Sequence, residues 1–170
     1  AGTLWRLADI GYKLVEFAGI YDNTVEDVAA MLERHGMRAP AAHIPYERFN
    51  KDFDGVLAEA TAIGYEWVVV PALPTREIDE ALAAEYVDKL NAFGRKSVEA
   101  GLKFAYHNHA FEFEDTYSDD TTFYDRLLAG TDPDAVKFEL DAFWVNRGGV
   151  DPARMLRDHG DRIALVHIKD

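Results

Sequence analysis

The chain contains no cysteine. That absence removes disulfide bridges, thiolate nucleophiles and thiolate zinc sites together. No apolar run comes near the roughly 20 residues that a membrane-spanning helix needs. The first residues, Ala1-Gly2-Thr3-Leu4-Trp5-Arg6, lack the charged-then-apolar order of a secretory signal. A cytoplasmic location is therefore the expectation, with no membrane partner. Basic residues are also scarce: 18 Lys and Arg stand against 31 Asp and Glu, giving a net charge of −13. Such a surface repels phosphate backbones, and no Lys/Arg cluster offsets it, so nucleic acid is not an expected partner. Finally, no Gly-x-Gly-x-x-Gly loop follows any strand-like segment, which argues against a dinucleotide-binding sheet.

What remains, 48% apolar and 29% charged, is the composition of a globular protein, and the 170 residues read as one domain over 1–170. Helical and extended patterns alternate along the chain. Helices are expected over 3–10, after Thr24 to Gly36, and over 53–63, 77–100, 122–128 and 152–157. Most have a Thr at the start or a Gly at the stop. Strands are expected over 13–18, 39–44, 66–71, 103–109, 136–141 and 163–168. Trp67-Val68-Val69-Val70 has the continuous apolar character of a strand buried on both faces. Ile10-Gly11-Tyr12-Lys13-Leu14-Val15 and Ile63-Gly64-Tyr65-Glu66-Trp67-Val68 repeat one device, a helix end, a glycine turn and a strand start.

Strands alternating with helices imply a parallel sheet with right-handed crossovers, and repeated units of this kind suit an α/β architecture, the (β/α)₈ TIM barrel. About six βα units are visible where a full barrel has eight. The expectation is thus a partial barrel lacking its first strand and its last unit. The open edges of such an arc invite association, so a homo-oligomer is one expectation.

In these barrels the chemistry sits at the C-terminal ends of the strands. Here those ends carry Glu16, His43, the group His107, His109 and Glu112, then Glu139 and Asp141, then His167 and Lys169. Only the strand ending at Pro71 is an exception. Carboxylates and imidazoles meeting in one basin suit a divalent ion, Mn²⁺, Mg²⁺, Co²⁺ or Zn²⁺. Phe111, Phe113, Phe143 and Trp144 flank the acidic residues, and their ring faces suit a sugar. Glu16 and Glu139 read more simply as partners for Arg or Lys inside the barrel. His35 and His159 lie beside glycines at helix ends, where a cap is the better account.

Tyr106-His107-Asn108-His109-Ala110-Phe111-Glu112-Phe113 resembles the His-Asn-His-x-Phe-Glu-Phe signature of the xylose-isomerase-like sugar phosphate isomerase/epimerase family. Leu140-Asp141-Ala142-Phe143-Trp144-Val145 with Gly148-Gly149, and Val166-His167-Ile168-Lys169-Asp170, resemble that family's sixth and seventh strands. The likeness extends to the segments around Glu16 and His43 and spans nearly the whole chain. It implies a metal held by Glu112, Asp141 and His167, together with an eighth-strand Glu that this sequence does not contain. Glu114 is a weaker rival to Glu112. Glu112 and His109 are the candidate catalytic groups and His43, His107, Trp144 and Lys169 the candidate substrate contacts, the alternatives being a hydrogen-bonded His107–His109 pair, a structural His43 and a Lys169 that balances Asp170. The implied reaction is metal-assisted proton transfer beside a carbonyl of a sugar, sugar phosphate or cyclitol, as an isomerase or epimerase. A lyase on the same site, an inosose-type dehydratase or keto-glycoside lyase, is the alternative. A sugar-binding barrel without catalysis is a third reading.

Overall fold

A computed structural model describes residues 2–170. Six parallel strands lie side by side in chain order: β1 (Leu14–Phe17), β2 (Arg38–His43), β3 (Trp67–Val70), β4 (Lys103–His107), β5 (Lys137–Asp141) and β6 (Ile163–His167). They form an arc of a barrel. The connecting helices are α1 (Gly2–Ile10), α2 (Val25–Arg34), α3 (Tyr46–Lys51), α4 (Phe53–Ile63), α5 (Glu80–Glu99), α6 (Phe111–Glu114), α7 (Phe123–Gly130), α8 (Ala142–Arg147) and α9 (Pro152–His159). No described helix is long and apolar enough to cross a membrane.

Local chemistry sets the boundaries. Thr24, Asp52, Asp79 and Thr122 each cap a helix through a side-chain oxygen, and Thr122 forms a reciprocal capping box with Asp125. The repeated Ile-Gly-Tyr turn works because Gly11 and Gly64 take φ of 111° and 88°, a region open to glycine at little cost. His35 is the C-cap residue of α2, and His159 closes α9. The three helices that the sequence pattern did not announce, α3, α6 and α8, are short and follow β2, β4 and β5 at their C-terminal ends.

Strand alternation then divides the side chains into two sets. Ala42, Val68, Val70, Phe104, Tyr106, Phe138 and Leu140 face the helices and join the main core. The opposite, concave face takes Ala41, Val69 and Ala105 low down, small residues that fit a tight barrel interior. The same face ends above them in Glu16, His43, His107, Glu139, Asp141 and His167, so alternation alone delivers these six to one side of the sheet.

The helix layer sits close to the sheet at one point. A methyl group added at Gly94 in α5 would lie 2.6 Å from the Ala135 carbonyl oxygen and 2.8 Å from the Val136 side chain. Alanine is worth about 1 kcal/mol over glycine in a helix interior. Overpacking against backbone costs about 1–3 kcal/mol. Gly94→Ala is therefore expected to lower the urea midpoint, and a raised midpoint would show that α5 can slide away from β5.

Candidate metal and substrate site

His107 ends β4 and is nearly fully buried. The next residue, Asn108, continues the strand ladder with its side chain. Its Oδ1 accepts from the Asp141 amide (3.0 Å) and its Nδ2 donates to the Asp141 carbonyl oxygen (3.5 Å). Asn108 thereby locks the end of β4 to the end of β5 and fixes the height of Asp141 beside His107.

Glu139 is the hub of the cluster. Its Oε2 lies 2.7 Å from His43 Nε2 and 2.8 Å from His107 Nδ1, and its Oε1 lies 3.4 Å from His167 Nε2. His167 Nε2 also lies 2.7 Å from Glu16 Oε2. Ligand-type atoms of His43, His107, Glu139 and His167 all fall within 4.8 Å of one another, an arrangement that could hold a metal ion. Glu139 and Glu16 thus hold imidazoles rather than Arg or Lys, which corrects the simpler reading of the sequence. Burial alone would push Glu139 up, but hydrogen bonds from His107 and His43, with the charge of His167 and His43, together outweigh it and hold the carboxyl below the usual range. His167 is raised, chiefly by its hydrogen bond to Glu16, against a smaller opposing effect of burial.

Asp141 lies on the far side of the same imidazoles. Its Oδ1 caps α8 by accepting from the Trp144 amide (3.1 Å). Its Oδ2 is buried and accepts no hydrogen bond. Around that oxygen stand Lys169 Nζ at 2.5 Å, His107 Nε2 at 3.5 Å and His167 Nδ1 at 3.9 Å. Asp141 and His167, expected as ligands, are thus brought together, with His107 between them.

Glu112 goes elsewhere. The sequence pattern carried the strand on to residue 109, but β4 stops at His107 and α6 turns the chain. Glu112 is consequently folded back into the core, with no solvent exposure. Tyr106 Oη donates to its Oε1 (2.7 Å) and the His109 amide to its Oε2 (2.9 Å). Burial raises its carboxyl to about 7, against the lowering effect of those two hydrogen bonds. Glu114 is exposed. Neither residue belongs to the set of side chains that converge at the barrel mouth.

His109 stands at the rim, half-buried, with Nδ1 buried and unpartnered. Burial and the neighbouring His107 lower it to about 4. Its ring lies between Phe111 (6.3 Å) and Trp144 (5.6 Å), and Phe143 continues the aromatic strip at 4.9 Å from Trp144. Lys169 covers Trp144 at 5.6 Å while it faces Asp141. His43, His107, Trp144 and Lys169 therefore all line or adjoin the mouth.

The donor set suits a divalent cation. With the imidazoles neutral, Glu16, Glu139 and Asp141 face one ammonium, Lys169, so the cluster falls short by two positive charges. Donor atoms bound to one ion at about 2.1 Å stand roughly 3–4 Å apart. His107 Nε2 and His167 Nδ1 each stand at that spacing from Asp141 Oδ2.

A family model described as the xylose isomerase-like TIM barrel matches residues 4–170. An inosose dehydratase of Geobacillus kaustophilus is 25% identical over 191 residues, covering 99% of this chain and 61% of that relative. An inosose dehydratase of Salmonella typhimurium is 39% identical over 83 residues, covering 48% of this chain and 26% of the relative. Among solved structures, a sugar phosphate isomerase/epimerase from Parabacteroides distasonis superposes with a TM-score of 0.82. It is 31% identical and covers 99% of this chain and 68% of that one. The chain thus spans about three fifths of the length of the dehydratase it matches end to end.

Proposed function

Because the chain belongs to the xylose isomerase-like TIM-barrel family, we propose that it carries the metal-binding part of a lyase that removes water from a polyhydroxylated ketone, an inosose or related keto-sugar. The observation that carries this reading is the convergence of His107 Nε2, Asp141 Oδ2 and His167 Nδ1 beside the unpartnered imidazole of His109. His107, Asp141 and His167 would hold the ion, one of Mn²⁺, Mg²⁺, Co²⁺ or Zn²⁺. When bound, the ion supplies Lewis-acid polarisation of the substrate carbonyl oxygen.

The protein's own groups do the rest. The aromatic strip of Phe111, Trp144 and Phe143 shelters the C–H faces of the ring. His109, half-buried at the rim, takes the proton from the carbon beside the carbonyl through Nε2, the ring nitrogen that is not buried. The C–O bond of the neighbouring hydroxyl then breaks, and the proton held by His109 leaves with that oxygen as water. One base on one face is enough for this elimination, whereas epimerisation needs a proton donor on the opposite face. The names of the dehydratase relatives support the lyase reading. Isomerase or epimerase chemistry is the second reading, favoured by the Parabacteroides neighbour, and it shares the first proton transfer.

The test is to incubate the protein with inososes and keto-sugars in deuterated water and follow the products by NMR. Loss of water is the expected result. Epimer formation with deuterium at the carbon beside the carbonyl would favour the second reading. His109→Ala should slow turnover about 10²- to 10⁴-fold, the usual contribution of a positioned acid or base, with metal content unchanged. Full activity in a metal-free preparation would count against both readings.

A further inference from the structure

We infer that Glu139 is the positioning carboxylate of this site: it takes the N–H groups of His43 and His107 and, with Glu16, that of His167, so that His107 and His167 turn bare nitrogens toward Asp141. The inference rests on the metal reading given above and deepens it. A carboxylate only accepts hydrogen bonds, so the short contacts to Glu139 Oε2 place protons on His43 Nε2 and His107 Nδ1. The contact of His167 Nε2 with Glu16 at 2.7 Å, backed by Glu139 at 3.4 Å, places the His167 proton on that nitrogen.

A neutral imidazole carries one proton. His107 Nε2 and His167 Nδ1 are then lone pairs, and both face the buried Asp141 Oδ2 at 3.5 and 3.9 Å. Three electron-rich atoms turned on one point repel unless a cation lies among them. The Lys169 ammonium, 2.5 Å from Asp141 Oδ2, provides positive charge there in this structure. The alternative puts the ion inside the His43, His107, Glu139 and His167 cluster. There it would meet the imidazole N–H groups that point at Glu139, and Asp141 Oδ2 would keep the Lys169 ammonium as its counter-charge. The arrangement around Glu139 is the carboxylate–imidazole–metal relay that fixes tautomers and raises ligand basicity.

Two measurements test the assignment. In metal-free protein at mildly alkaline pH, long-range ¹H–¹⁵N spectra should show His107 protonated at Nδ1 and His167 at Nε2. In Glu139→Gln the single remaining acceptor oxygen should leave His107 as a tautomer mixture. The opposite tautomers in the unaltered protein would overturn the inference. Co²⁺ titration gives the second readout, by calorimetry and by visible absorption. Glu139→Gln should weaken Co²⁺ binding about 10- to 100-fold, the cost usual for losing an outer partner. Stoichiometry and band positions should stay the same because the donors are the same, and Glu139→Asp should recover part of the affinity. A changed Co²⁺ spectrum in Glu139→Gln would make Glu139 a ligand, and unaltered affinity would deny it any role; either result overturns the inference. If the unaltered protein takes up no Co²⁺, the metal reading itself fails.

Discussion

Asp141→Asn is expected to abolish stabilisation by metal while leaving the metal-free protein close to its original stability. The two halves of this expectation come from the two oxygens of one side chain. Oδ1 caps α8 through the Trp144 amide, and asparagine is as good an N-cap as aspartate. Oδ2 is buried without a hydrogen bond and faces two imidazole nitrogens. In the absence of an ion its charge is met by the Lys169 ammonium at 2.5 Å. Lys169, half exposed, can turn to solvent when its partner is neutral. With the ion present, removing one partner of a buried charge pair costs about 3–5 kcal/mol, which weakens binding by roughly two to four orders of magnitude. At a metal concentration about 100 times the dissociation constant, the unaltered protein gains about 2.7 kcal/mol. At the same concentration Asp141→Asn should gain almost nothing. Thermal melts with and without Mn²⁺, Co²⁺ or Zn²⁺ read both halves at once. A metal-dependent shift that survives in Asp141→Asn would place the ion on the Glu139 side of the imidazoles.

The strand-end residues were legible because two short-range rules sufficed. Helix–glycine–strand punctuation fixed the six strands, and alternation of period two put Glu139 and Asp141, two residues apart, on the same face. His167 and Asp141 follow directly, since each is the last residue of its strand. Which of the strand-end groups meet was less legible. Glu139 had the right position in the sequence, but nothing local says that three imidazoles from β2, β4 and β6 turn toward it. That depends on the curvature of the sheet, which brings β1 and β6 close enough for Glu16 to reach His167 across 151 positions. Glu112 was obscured by another effect. Four-residue helices give no periodic signal, so α6 was invisible and the strand was carried two residues too far. Its marker was present, however: a glutamate three residues after His109, able to accept from the His109 amide as a cap does.

The buried position of Glu112 gives the last expectation: its carboxyl should take stability away as pH rises from about 4.5 to about 7, a contribution that Glu112→Gln removes. The carboxyl is raised from 4.5 to about 7, first by burial, with the Tyr106 and His109 hydrogen bonds opposing it. Across this interval the folded chain keeps a proton on Glu112 that the unfolded chain has released. Stability therefore falls with pH, is fully present below the unfolded value and is lost once pH passes the folded one. A shift of this size corresponds to about 3 kcal/mol at 1.36 kcal/mol per unit. Glutamine mimics the protonated acid. Its carbonyl oxygen can accept from the His109 amide, and its amide can donate to Tyr106 Oη, the same two groups that bond Glu112. Above roughly pH 8 the Glu112→Gln protein should thus be more stable than the parent by up to about 3 kcal/mol, and below roughly pH 5 the two should coincide. Every other titrating group is common to both proteins and cancels in the difference. Denaturant melts of the pair across this range make the measurement. If the variant is weaker at every pH, the Glu112 carboxylate is ionised and held by its two donors, and the residue returns as a candidate for charge-dependent chemistry at the site.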